Sequence, residues 1–273
     1  MLKDITLGQY YPAESVIHRL DPRVKLVVTL AFILSLFLAT KVPGYLLAGL
    51  FLCLWAGLSR VPVTFMLRGM KAIFFLLLLT VVFNLFLTPG EAIFAWQRLV
   101  ITKEGVRVAS LMAIRLVFLI IGSTVMTLTT TPNQLTDGME SLMRPLKKVR
   151  FPVHEVAMMM SIALRFIPIL MEETDKIMKA QMARGADFES GGIVRRAKAL
   201  VPLLVPLFVS AFRRAGDLAM AMEARCYHGG DGRTKLKPLR YERRDYLTYA
   251  LLIGYLVLMV LFGRGLITIP FQL

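Results

Sequence analysis

Residues 72–88 read AIFFLLLLTVVFNLFLT and run without a charge into Pro89 and Gly90. As a helix rising ~1.5 Å per residue this run is ~26 Å long, close to the ~30 Å hydrocarbon core of a bilayer. Four more apolar runs flank it, at 26–40, 44–58, 108–131 and 246–262. The chain of 273 residues is 56% hydrophobic with a mean hydropathy of +0.64, too apolar for an ordinary soluble domain. The pattern predicts an all-α integral membrane protein with about five transmembrane helices.

A formal charge of +15 invites a nucleic-acid reading, and the placement of the charges argues against it. They sit in the gaps between apolar runs, as the positive-inside rule expects. Segments 1–25, 60–71 and 132–245 hold 4, 3 and 20 lysines and arginines. The opposite side has Lys41, Arg98, Lys103, Arg107 and Arg264. The N-terminus and segment 132–245 are therefore expected in the cytoplasm, with lipid bilayer rather than nucleic acid as the partner. The runs 26–40 and 44–58 are short for a span. Local thinning of the bilayer and snorkelling of Lys25, Lys41 and Arg60 are the expected remedies. A loop holding Trp96 is expected after Pro89.

Three regions follow: an N-terminal membrane domain (1–131), a cytoplasmic module (132–245) and a last transmembrane helix (246–273). The module carries 13 of the 18 acidic residues. In it, TTTPNQLTDGMESLMRPLKKV (129–149) predicts an amphipathic helix after Pro132, capped by Asn133 or Thr131. Leu135, Met139, Leu142 and Leu146 form its apolar stripe. Two long helices are expected next, 153–184 across Pro168 and 195–225 across Pro202 and Pro206, with FESGG (188–192) as the turn between them. Ala211, Ala215 and Ala219 repeat every four residues, which lets another helix approach closely. Half of the 16 methionines fall between 153 and 226, and methionine suits a surface that must adapt to its partner.

Both long helices close alike, in KAQMARGADF (179–188) and MAMEARCYHG (220–229). Ala183, Arg184 and Gly185 are matched by Ala224, Arg225 and Cys226. One such arginine has an ordinary explanation: it complements the negative end of the helix dipole, and glycine supplies the left-handed residue that ends a helix. The repetition points elsewhere. A small residue on each side lets the guanidinium stand clear of its own helix, as a plug for a carboxylate on another protein.

Several chemistries are absent. There is no G-x-x-x-x-G-K-[ST] sequence, so no ATP-binding P-loop. HEVAM (154–158) has Met158 where a zinc protease needs its second histidine. No metal or cofactor site is expected, and Cys53 and Cys226 are expected as free thiols. The apolar runs contain one charge, Arg115, whose role the sequence leaves open.

With these residues in view, the chain resembles the transmembrane T component of energy-coupling factor (ECF) transporters, the EcfT/CbiQ family. The resemblance is carried by HRLDPRVKL (18–26), TTTPNQLTDGMESLMRPLKK (129–148), IALRFIPIL (162–170), KAQMARGADF and AMEARCY (221–227). It implies a non-enzymatic coupling subunit in a bacterial or archaeal cell membrane, with two coupling helices crossing in an X. Its partners would be two ABC-type ATPases, identical or paralogous, and a membrane substrate-binding S component, one of several interchangeable ones, that captures a vitamin or other micronutrient. By matching positions, Ala183, Arg184, Gly185, Ala224, Arg225 and Cys226 would bind the ATPases. Cys226 departs from the glycine of the first motif, a substitution by another small residue. Two alternatives remain: a conventional ABC permease forming the substrate path itself, and a membrane enzyme acting on lipids. The enzyme would want clustered carboxylates or histidines, whereas Glu172, Glu173 and Asp175 lie among lysines.

Overall fold

A computed structural model describes residues 10–39, 41–96, 99–186, 188, 192–230 and 238–263. The described chain is an α-helical membrane protein that divides into two compact units. One comprises Gly8–Gly138 with Leu239–Leu273, and the other Met139–Pro238.

In the first unit, α1 (Pro22–Leu38) begins where Asp21 Oδ1 accepts from the Arg23 N–H at 2.9 Å and Pro22 occupies the first turn. α2 (Val42–Ser59) follows after a short turn and ends on Arg60, whose backbone is left-handed at φ 54°. α3 (Val63–Leu87) starts well before the apolar run and bends by 66° between Lys71 and Ile73. α4 (Lys103–Thr129), the start of α5 (Pro132–Met143) and α8 (Arg243–Gly263) complete the unit.

The expected loop around Trp96 is instead a small antiparallel hairpin, β1 (Ala92–Trp96) against β2 (Leu99–Thr102). Its two short strands satisfy their backbone groups against each other, and Thr102 then caps α4 by accepting from the Gly105 N–H at 2.9 Å.

Val24, Val28, Phe32 and Leu36 recur every four residues along α1 and are buried with Ala48, Leu52 and Trp55 of α2. Val125 and Leu128 of α4 and Leu252, Tyr255 and Met259 of α8 close the core around them. Phe51 stacks on Tyr255 with ring centroids 4.5 Å apart, and Ser35 Oγ hydrogen-bonds Tyr255 Oη at 2.7 Å. The opposite faces stay apolar and exposed, with Leu34, Leu46, Leu50 and Phe75 among them. A helix apolar all round is one whose outer face meets lipid.

One cation departs from its expected behaviour, and another, left open by the sequence, finds its partners. Lys25 does not snorkel: it is 1% exposed, and its Nζ donates to Thr129 O at 2.8 Å and His18 O at 3.2 Å. Lys41 and Arg60 are exposed, as snorkelling requires. Arg115 is held from inside, its Nε donating to Tyr45 Oη and its Nη2 to Ala39 O, each at 3.1 Å. It thereby satisfies a carbonyl at the end of α1 and fastens α4 to the turn between α1 and α2.

α2, α4, α8 and α6 (Val153–Ala183) are long and apolar enough to cross a membrane, and the bent α3 makes five. α1, at 17 residues, falls just short of that length. α6 qualifies through its first half. Its second half carries Glu172, Glu173, Asp175, Lys176 and Lys179 within eight residues.

Candidate functional site

The second unit starts from the end of α5, whose cap is Thr131 rather than Asn133. Thr131 Oγ1 accepts from the Gln134 N–H at 3.3 Å while Gln134 Oε1 accepts from the Thr131 N–H at 3.1 Å, a reciprocal capping box. Pro145 lies in a following turn of 3-10 helix, Arg144–Val149. Leu142 and Leu146, from the predicted apolar stripe, are exposed.

α6 then runs unbroken through Pro168, and α7 (Ile193–Ala224) through Pro202 and Pro206. Most of the turn expected at FESGG lies outside the described residues. Arg214 Nη2 donates to Glu173 Oε2 at 2.8 Å, and Gln181 Nε2 reaches Pro202 O at 3.5 Å. Advancing along α6 from Glu173 to Gln181 goes with retreat along α7 from Arg214 to Pro202, so the helices are antiparallel. Arg184 lies eleven residues past Glu173, and Arg225 eleven past Arg214. Each tip therefore stands ~16 Å of helix from the ion pair, in opposite directions. The alanine stripe is not this contact: Ala215 and Ala219 are exposed.

The two tips close identically. At the first, the Gly185 N–H donates to Met182 O and the Ala186 N–H to Gln181 O, both at 3.0 Å. At the second, the Cys226 N–H donates to Glu223 O at 2.9 Å and the Tyr227 N–H to Met222 O at 3.1 Å. Gly185 and Cys226 take the left-handed backbone that this closure requires, with φ of 88° and 55°. The backbone thus satisfies the Gln181 and Met182 carbonyls of α6 and the Met222 and Glu223 carbonyls of α7 without help from the arginine side chains. Arg184 and Arg225 are exposed, and among the described residues neither guanidinium has an ion-pair or hydrogen-bond partner. Ala183 and Ala224 beside them are exposed too.

Around the tips the surface is soft and apolar. Met182 is 49% exposed and Met220 63%. Along α7, Val205, Phe208, Val209 and Phe212 are exposed. Among the described residues no group of histidine, cysteine and carboxylate side chains is placed to hold a metal ion, and Cys53 and Cys226 are free.

One feature of the site escaped sequence reasoning. His154, noticed only as half of a failed zinc motif, pairs through Nδ1 with Glu140 Oε1 at 3.1 Å. The chain that follows the second tip returns onto this imidazole, so closely that a Cβ on Gly230 would overlap the ring. The signal was the pair Glu140 and His154 flanking a proline-broken turn, with Gly229 and Gly230 just after the second arginine.

Residues 13–236 match the family model CbiQ, described as cobalt transport protein. The chain is 55% identical over 249 residues to the energy-coupling factor transporter transmembrane protein EcfT of Clostridium kluyveri, covering 90% of this chain and 92% of that protein. It is 51% identical over 266 residues to the EcfT protein of Acidaminococcus fermentans, covering 97% of this chain and 99% of that protein. The EcfT protein of Bacillus subtilis is 51% identical over 246 residues, covering 90% of this chain and 93% of its own length.

Proposed function

The chain belongs to the CbiQ family, and on that premise we propose that it is the non-catalytic coupling subunit of an ATP-driven ECF-type importer. It links two ABC-type ATPases, identical or paralogous, to a membrane S component that captures a vitamin or other micronutrient. The N-terminus and segment 132–245, which hold most of the lysines and arginines, face the cytoplasm, so α6, although long and apolar enough to cross, does not span in this reading.

The observation that carries this reading is the pair of tips. Each is a helix end closed by backbone hydrogen bonds that presents, between small residues, an exposed arginine with no ion-pair or hydrogen-bond partner among the described residues. A guanidinium that its own chain leaves unused is set to dock on a carboxylate of another protein, bidentately. Antiparallel helices place the two arginines apart, which suits two partners rather than one. The apolar, methionine-bearing faces of α6 and α7 are the surface offered to the S component.

The test is co-expression with tagged candidate ATPases and capture of the complex from membranes. Loss of one docked arginine weakens capture by about 2–5 kcal/mol, so Arg184→Ala and Arg225→Ala each lower it and the double variant abolishes it. Full capture by a properly inserted double variant would overturn the docking role.

A further inference from the structure

Arg19, Arg60 and Arg244 line a cavity of about 310 Å³ in the membrane unit, where the N-terminal segment passes between the end of α2 and the start of α8. Both helices are long and apolar enough to span, so their ends place the cavity at the level of lipid headgroups. Arg19 pairs with Glu14 at 3.0 Å, but these side chains are 57% and 88% exposed, and such a surface pair is weak. Arg60 and Arg244 have no ion-pair partner among the described residues. Three guanidiniums thus face one carboxylate in the same wall.

The wall is amphipathic. Val16 is 48% exposed and Leu58 42%, beside the arginines rather than in the core. Gly57 is also on the lining, exposed, and a Cβ there would meet nothing within 4 Å. Arg60 keeps its place on a left-handed backbone, φ 54°, which a β-carbon disfavours and glycine accepts. A cationic rim with an apolar shoulder at the end of spanning helices has the chemistry of a lipid subsite.

We propose that this cavity binds the headgroup of an anionic phospholipid, with Arg60 and Arg244 on the phosphate and Leu58 and Val16 against the first methylenes of its chains. The site uses none of the residues that form the arginine tips.

The test is native mass spectrometry of the full chain in detergent, with phosphatidylglycerol and phosphatidylcholine added in equal amounts. The wild type is expected to retain phosphatidylglycerol preferentially. Arg60→Gly removes one charge and relieves the backbone, and it should lower that retention about fivefold, the weight of one basic residue near a lipid surface. Gly57→Leu places a bulky side chain on the lining and should lower it comparably, while Arg68→Gln on α3 leaves it unchanged. Melting temperatures confirm that each variant is folded, and Arg244→Gln replaces any that is not. Equal retention of both lipids, or undiminished retention in the two cavity variants, would overturn the proposal. So would displacement of the lipid by millimolar inorganic phosphate, which would make this a simple anion site.

Discussion

The tip of α6 turns through glycine and the tip of α7 through cysteine, yet both close with the same two backbone hydrogen bonds. The shared element is a backbone shape that leaves an arginine pointing outward with nothing to do for its own helix. Cys226 holds that shape against the steric preference of an L-residue, which costs ~1–2 kcal/mol. What lies behind the tips differs. Gly230, just beyond Arg225, rests on His154, which is tied to Glu140. At Gly185 a Cβ would meet nothing within 4 Å. Among the described residues the first tip is held by its own turn alone, and the second by its turn and a brace.

The largest expected effect breaks the brace. Gly230→Val drives a side chain into the His154 ring, and overpacking of that kind costs about 1–3 kcal/mol. In an Arg184→Ala background, where only the second tip remains, ATPase capture should drop. In an Arg225→Ala background it should stay where it was. Equal losses in both would make the second tip no more braced than the first.

Next comes the turn itself. Gly185→Val forces a β-branched residue to a φ of 88°, at ~1–2 kcal/mol. Hydrogen exchange at the Ala186 amide should speed up about tenfold while that at Tyr227 is unchanged. The converse change is gentler: Cys226→Gly should relieve ~1 kcal/mol and slow exchange at Tyr227 about fivefold. If the exchange rate stays put, the second tip owes its shape to the brace alone.

The smallest effect lies in the membrane unit and serves as the contrast to both tips. His18 Nε2 donates to Tyr11 O at 3.0 Å, and Nδ1 accepts from Ser15 Oγ at 2.7 Å. Burial lowers the pKa of this imidazole below its ordinary 6.5. The unfolded chain therefore takes up the proton first, and stability is lost as pH falls through about 6.5. Melting followed from pH 7.5 to 5.5 should show a small decline that His18→Gln flattens, with no change in the protection of either tip.

Features written in local pattern were legible in the sequence. The apolar runs announced α2, α4 and α8. The paired motifs announced both tips, because a capped helix end is specified by a few neighbouring residues. The box at Thr131 and Gln134 was half seen, since Asn133 competes with Thr131 for the same duty. Long-range partners were not legible. Lys25 looked like a snorkelling lysine because the carbonyl that holds it, Thr129 O, is 104 residues away. Arg115 stayed open because Ala39 O is 76 residues away. The hairpin was missed because two strands of five and four residues beside a Pro-Gly turn are too short to show alternation. His154 was judged against a zinc pattern, so its actual partner, Glu140, went unsought.

The Asp21-Pro22 dipeptide has a wider consequence. Asp245 Oδ1 accepts from the Asp21 N–H at 3.0 Å, and a Cβ on Gly138 would lie 3.1 Å from Pro22 Cβ. Gly138 is where the chain leaves the membrane unit, and Asp245 follows soon after it returns at Leu239. Exit and return are thus pinned to one spot on the first helix. In the language of domain insertion, Met139–Pro238 is a cassette inserted between two contacts with the same end of α1. A short linker joining 138 to 239 should leave a membrane unit that still folds, and the same two anchor points should accept the corresponding segment of a relative.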